Sequence, residues 1–242
     1  MTVHDTGDEA ALAARLGEAR GLVRAGDPTA GLAAFDAIIL DYGTREDLVS
    51  RRGSAQALLN RGVVLAQAGD HPAAADAYGV VIERCSAGEG DPELRRIRAH
   101  AYFSRGAARD ALGDHAAEIT DYDAVIAEFL EDADPLIRRV VARAAFNRAI
   151  THLDAGAEEL AARDFALLVD RFEDDADDEL RRQVARARHQ RALMHERRQE
   201  REVARAEYGA IIERYADSAD AELQSHVSTA REAHTRLSAA HD

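Results

Sequence analysis

Residues 60–85 read NRGVVLAQAGDHPAAADAYGVVIERC. Gly62 is followed seven residues later by Gly69, and Asp70 comes next. A glycine adopts the left-handed conformation that ends a helix at little cost, and an aspartate is a strong cap for the helix that follows. Beyond the turn, Tyr78, Val81, Ile82 and Cys85 stand at offsets 0, +3, +4 and +7, which trace one face of a helix. The stretch therefore predicts a helix, a tight turn and a second helix with one apolar face.

Moving outward, the same pattern recurs along the chain. The aromatic Tyr78 has counterparts at Phe35, Tyr122, Phe165 and Tyr208, separated by 43, 44, 43 and 43 residues. Each is followed by an aliphatic pair: Ile38-Ile39, Val81-Ile82, Val125-Ile126, Leu168-Val169 and Ile211-Ile212. Sixteen residues before each aromatic is a small residue: Ala19, Gly62, Gly106, Ala149 or Ala192. Its lack of bulk lets two helix backbones approach closely. Gly26, Gly69, Gly113 and Gly156 mark the turns, and the fifth copy has Gln199, so a less sharply capped turn is expected there.

The first helix of each unit also has a start signal. Asp47, Asp91, Asp134, Asp177 and Asp220 are placed as N-caps, and Pro92 and Pro135 occupy the favoured first turn. Paired arginines follow at Arg51-Arg52, Arg95-Arg96, Arg138-Arg139 and Arg181-Arg182. The expected fold is all-α: a single right-handed superhelical solenoid domain, 1–242, of antiparallel helix hairpins. The five repeats cover approximately 8–42, 46–86, 91–131, 134–173 and 177–217, and a polar capping helix covers 220–240.

Composition agrees. The 242 residues include 52 alanines, 31 arginines and no lysine, while aromatics are 5%. Alanine and arginine are strong helix formers. No uninterrupted apolar run approaches the ~18 residues of a membrane span. The net charge of −14 disfavours non-specific attachment to nucleic acid or to an anionic membrane. A lone Cys85 cannot form an internal disulfide, and residues 1–18 lack the apolar core of a signal peptide, so the expected location is cytoplasmic.

The runs Asn60-Arg61-Gly62, Leu65, Gly69-Asp70, Ala74, Tyr78 and Ala142, Phe146-Asn147-Arg148-Ala149, Gly156, Ala161, Phe165 resemble the tetratricopeptide repeat. The resemblance covers nearly the whole chain in five copies, as a variant with a period longer than the usual 34. It departs at Arg61, Arg105, Arg148 and Arg191, where the family is apolar, and at Glu118, where a helix-crossing alanine is usual. The resemblance implies a concave face, lined by the first helices, that binds a peptide or partner protein.

Taking the small residue as zero, offsets −9, −5, −2 and +2 lie opposite the buried face. They read Gly53, Ala57, Asn60, Val64 in the second copy and Val140, Ala144, Asn147, Thr151 in the fourth. This mildly polar stripe is expected to line the groove. The candidate partner-binding residues are Asn60, Arg61, Ser104, Arg105, Asn147, Arg148, Gln190 and Arg191. Their amides suit a peptide backbone, and their guanidinium groups suit carboxylates of an acidic or C-terminal segment. The competing reading pairs these arginines with acids on neighbouring helices, and the same holds more strongly for the Arg-Arg pairs near the helix starts.

A self-assembling homo-oligomeric scaffold is the alternative function. The basic stretch Arg181–Arg205 lacks interleaved aromatics for base stacking, which disfavours nucleic acid. His152 and His195 hold equivalent positions but complete no metal-binding motif, and Cys85 falls on the core face. No catalytic residue, metal or cofactor is expected, and the chain is read as a non-enzyme.

Overall fold

The computed structural model describes residues 3–86 and 90–239, and among these it contains eleven helices and no strand. They are α1 (Val3–Arg24), α2 (Pro28–Tyr42), α3 (Leu48–Gln67), α4 (His71–Ser86), α5 (Pro92–Ala111), α6 (His115–Phe129), α7 (Pro135–Asp154), α8 (Glu158–Phe172), α9 (Asp178–Arg197), α10 (Arg201–Tyr215) and α11 (Ala221–Ala239). The odd helices through α9 are 20 or 22 residues long and the even ones 15 or 16. Ala240, the last residue expected in the capping helix, lies outside the described residues.

The helix ends follow the expected chemistry. Asp47, Asp91, Asp134, Asp177 and Asp220 each accept backbone N–H bonds at the first turn of an odd helix. Asp27, Asp70 and Asp114 do the same for even helices. The four turn glycines have φ between 73° and 87°. At the fifth turn Gln199 takes φ 62°, and Glu200 N donates to His195 O at 2.9 Å, as Asp70 N does to Leu65 O at 2.9 Å, but Glu200 makes no side-chain cap, so the turn keeps its geometry and is less fully capped, as expected. Packing of the fifth hairpin holds a glutamine in a conformation that costs an L-residue roughly 1–2 kcal/mol.

Each hairpin closes on its aromatic. A Cβ added at Gly62 would come within 2.6 Å of the Tyr78 ring, and one at Gly106 within 2.7 Å of the Tyr122 ring. The small position exists because the aromatic of the second helix fills its space. Phe35, Tyr78, Tyr122, Phe165 and Tyr208 are all essentially buried. Truncating any of them to alanine would cost about 3–5 kcal/mol.

The chain forms two compact units, Met1–Asp132 and Ala133–Asp242. In the first, α1 packs on α3 and α3 on α5, whereas α2 and α4 make no close approach among the described residues. The second repeats this: α7 meets α9 and α9 meets α11, while α8 and α10 stay apart. Within each unit the odd helices thus form the inner row, with Gly53 of α3 set against Leu12 of α1.

Candidate functional site

The stripe that the inner row exposes is not the one expected to line a groove. Gly53, Ala57, Val64, Val140, Ala144 and Thr151 are buried. A Cβ on Gly53 would strike Leu12 of α1 at 2.0 Å, so this face packs on the preceding odd helix. The exposed and half-buried stripe sits at offsets −6, −2, +1 and +5, roughly 60° round the helix from it at ~100° per residue. On α3 it reads Gln56, Asn60, Val63, Gln67; on α5 His100, Ser104, Ala107, Ala111; on α9 Arg186, Gln190, Leu193, Arg197. Stacking of one odd helix on the next was invisible to a single-helix projection.

Asn60, Ser104, Asn147 and Gln190 therefore remain on the inner stripe, half-buried. Asn60 Oδ1 accepts from Gln56 Nε2 at 3.2 Å, while its Nδ2 is buried and has no hydrogen-bond partner among the described residues. The Tyr78 phenol is hydrogen-bonded with Ser104, and burial pushes it up to about 12.

The four arginines beside them turn the other way. Arg105 donates from Nη2 to Asp121 at 2.6 Å and from Nε at 3.1 Å, and Arg109 adds a third contact at 2.8 Å. Arg148 makes a two-pronged pair with Asp164, its Nε at 2.9 Å, and Arg191 reaches Glu207 at 2.7 Å. These acids stand immediately before the aromatics Tyr122, Phe165 and Tyr208, and they are buried. In the second copy that position is Ala77, so Arg61 pairs instead with Asp36 of the preceding hairpin at 2.7 Å. The acid pairing of the competing reading is present: Arg105, Arg148 and Arg191 clamp first helix to second, and Arg61 ties its hairpin to the one before.

The arginines near the helix starts also bond internally. Arg52 Nε donates to Asp91 at 3.1 Å, and the guanidinium holds that carboxyl below its usual range. Arg139 reaches Asp177 at 2.5 Å, and Arg95 and Arg138 pair with Asp132 and Asp175. The N-cap aspartates thus also tie successive hairpins together. Within Arg181–Arg205, Arg181, Arg182, Arg188, Arg191, Arg198 and Arg205 all meet carboxylates, so the basic stretch is largely neutralised.

His152 Nε2 lies 3.9 Å from Asp164, and His195 Nδ1 lies 2.6 Å from Glu200. Cys85 is buried, and burial pushes its thiol up to about 12, which suits a core residue and not a nucleophile. Asp110, His115 and Glu118 bring ligand-type atoms within 4.8 Å of one another, with His115 Nδ1 3.2 Å from Glu118 Oε2. No described helix is long and apolar enough to cross a membrane.

One cavity opens on the inner face of the first unit. It holds about 220 Å³ and is lined by Arg20, Val23, Arg24, Phe35, Asn60, Val63, Val64 and Gln67. Sequence reasoning placed Asn60 and Val64 of these on the groove stripe and Phe35 in the core. Arg20 and Arg24 stand at offsets +1 and +5 from Ala19, a signal readable only once the exposed stripe is known.

These features define a helical-repeat protein, built from antiparallel hairpins with an inner row of first helices. Residues 56–86 match the family model of the tetratricopeptide repeat. A solved tetratricopeptide repeat protein from Parabacteroides merdae is similar over 94% of this chain and 76% of its own, with a TM-score of 0.60 and 15% identity. The second hairpin is accordingly similar to a tetratricopeptide repeat, and the chain has an all-α helical-repeat fold like that of the solved protein. No curated protein matches the sequence.

Proposed function

We propose that this chain is a non-catalytic protein-interaction module whose inner face receives a peptide or partner segment. Tetratricopeptide repeats generally mediate protein–protein interaction, and the observation that carries the reading here is the division of labour on the first helices. Arginines at one position are spent on internal clamps, while the adjacent stripe keeps amides, apolar side chains and the exposed Arg20, Arg24 and Arg197 available to a partner. Exposed cations on a chain of net charge −14 favour an acidic segment. The buried, unpaired Cys85 fits a reducing compartment, and the reading takes the cytoplasm as the place of encounter.

Photo-crosslinking tests it. A benzoylphenylalanine is placed at Val63 or Ala107 on the inner stripe, and at Val80 or Leu40 on the even helices, in the source cells. The expected result is a crosslink to a different protein from the inner positions alone. Crosslinks only from the even helices, or only between copies of this chain, would overturn the reading and favour the scaffold alternative.

A further inference from the structure

The turn between α5 and α6 carries a buried carboxylate that the other hairpins do without. Four residues before the aromatic, the five copies read Gly31, Ala74, Glu118, Ala161 and Ala204, and all five are buried. Packing at this helix crossing is therefore met by glycine or alanine, and the acid of the third copy needs another reason. Glu118 is 2% exposed, and a carboxylate that far from water requires a cation or hydrogen-bond donors beside it. His115, in the first turn of α6, brings Nδ1 to 3.2 Å from Glu118 Oε2. The same nitrogen stands 3.8 Å from Asp110 Oδ1, in the last turn of α5. The corresponding residues are Ala66, His71 and Ala74 in the second copy and Leu153, Glu158 and Ala161 in the fourth, so neither neighbour repeats the trio.

One imidazole nitrogen carries one proton along one direction and cannot serve two carboxylates equally. A metal ion in place of that proton reaches all three groups. Ligands around a tetrahedral ion with bonds of about 2.0–2.2 Å stand roughly 3.3–3.6 Å apart, between the two separations found here. The three ligand atoms lie within 4.8 Å of one another, and among the described residues no other such trio occurs. The side chains of Asp110 and His115 are 60% exposed, which leaves an entry path and room for water at a fourth position. Charge agrees: from Arg105 to Asp121 the chain holds four carboxylates against two arginines, and both arginines bond to Asp121.

We propose that Asp110, His115 and Glu118 form a Zn²⁺ site that joins the end of α5 to the start of α6. An imidazole among the ligands favours such a transition ion over Ca²⁺ or Mg²⁺, which take oxygen.

The untagged, dialysed full chain is titrated with ZnCl₂ by calorimetry, and with CoCl₂ by visible absorption, where a four-coordinate ion absorbs strongly. One tight equivalent is expected, with a melting temperature that rises with metal concentration. Asp110→Asn and His115→Gln, both at exposed side chains, should each weaken that equivalent at least tenfold, with helicity by circular dichroism unchanged. Glu118→Ala, which supplies the residue of the other crossings, should keep the fold and lose the metal as well. His195→Gln, which breaks the two-group contact with Glu200, should leave the tight equivalent intact. Absence of saturable Zn²⁺ uptake overturns the site. So does tight uptake that survives His115→Gln or Glu118→Ala, or that equimolar Ca²⁺ or Mg²⁺ displaces.

Discussion

Arg148 and Asp164 are the sharpest test of how the hairpins are clamped. The Asp164 side chain is 7% exposed and that of Arg148 15%, and both carboxylate oxygens receive guanidinium N–H groups. Two unit charges ~4 Å apart interact by about 4 kcal/mol at an effective dielectric of 20. Removing one member of a buried pair costs about 3–5 kcal/mol, because the other is left charged and dry. His152, 3.9 Å from Asp164, offers weak compensation. Arg148→Gln should therefore cost about 2–4 kcal/mol. Arg148→Glu adds repulsion of similar size, which approaches the ~5–15 kcal/mol stability of a whole domain. A double-mutant cycle of Arg148→Gln and Asp164→Asn, read by urea denaturation and by hydrogen exchange of the α7–α8 amides, isolates the coupling. We expect about 2–4 kcal/mol. A coupling under ~0.5 kcal/mol, the value of an exposed surface pair, would refute the clamp.

Two further predictions follow from the fold. Gln199→Gly should stabilise the chain by about 0.5–1 kcal/mol, since glycine relieves the φ of 62°; an unchanged or lowered melting temperature would show that the turn is not strained. His189 and His226 are half-buried, and burial holds both below the usual 6.5, with mutual repulsion adding at His189 and Arg186 at His226. Glu196 opposes this at His189, and Glu222 and Asp220 oppose it at His226. The unfolded chain therefore takes up these protons first, so stability is full above pH 6.5 and falls as pH drops toward the folded values. Melting temperature should decline between pH 7.5 and 5.5, where carboxylates stay ionised, and His189→Gln with His226→Gln should flatten that decline. An equal slope in the double variant would contradict it.

Much of the fold was readable because it rests on local chemistry. The turn glycines, the capping aspartates and the 16-residue spacing from Gly62 to Tyr78 each act within one hairpin. The site was less readable because it depends on how hairpins stack. A projection of α3 alone puts Gly53 and Val64 on an open face, yet Leu12 of α1 covers Gly53. Arg105, Arg148 and Arg191 look like ligand groups until Asp121, Asp164 and Glu207 are seen sixteen residues on, each just before its aromatic. That spacing was in the sequence and could have been matched. Nothing local marked Arg20 and Arg24, which become neighbours of Asn60 only when α1 lies against α3.

The proposed function assigns partner recognition to the exposed inner stripe and not to the adjacent arginines. The direct measurement compares two double variants of the first unit for affinity to the partner that the Val63 photo-crosslink captures. Arg61→Gln with Asp36→Asn removes a ladder pair beside Asn60, and Arg20→Gln with Arg24→Gln removes the cavity's charges. The account predicts affinity within about twofold of the parent for the first and at least a tenfold loss for the second. A tenfold loss in the first with none in the second would return recognition to the ladder and contradict it.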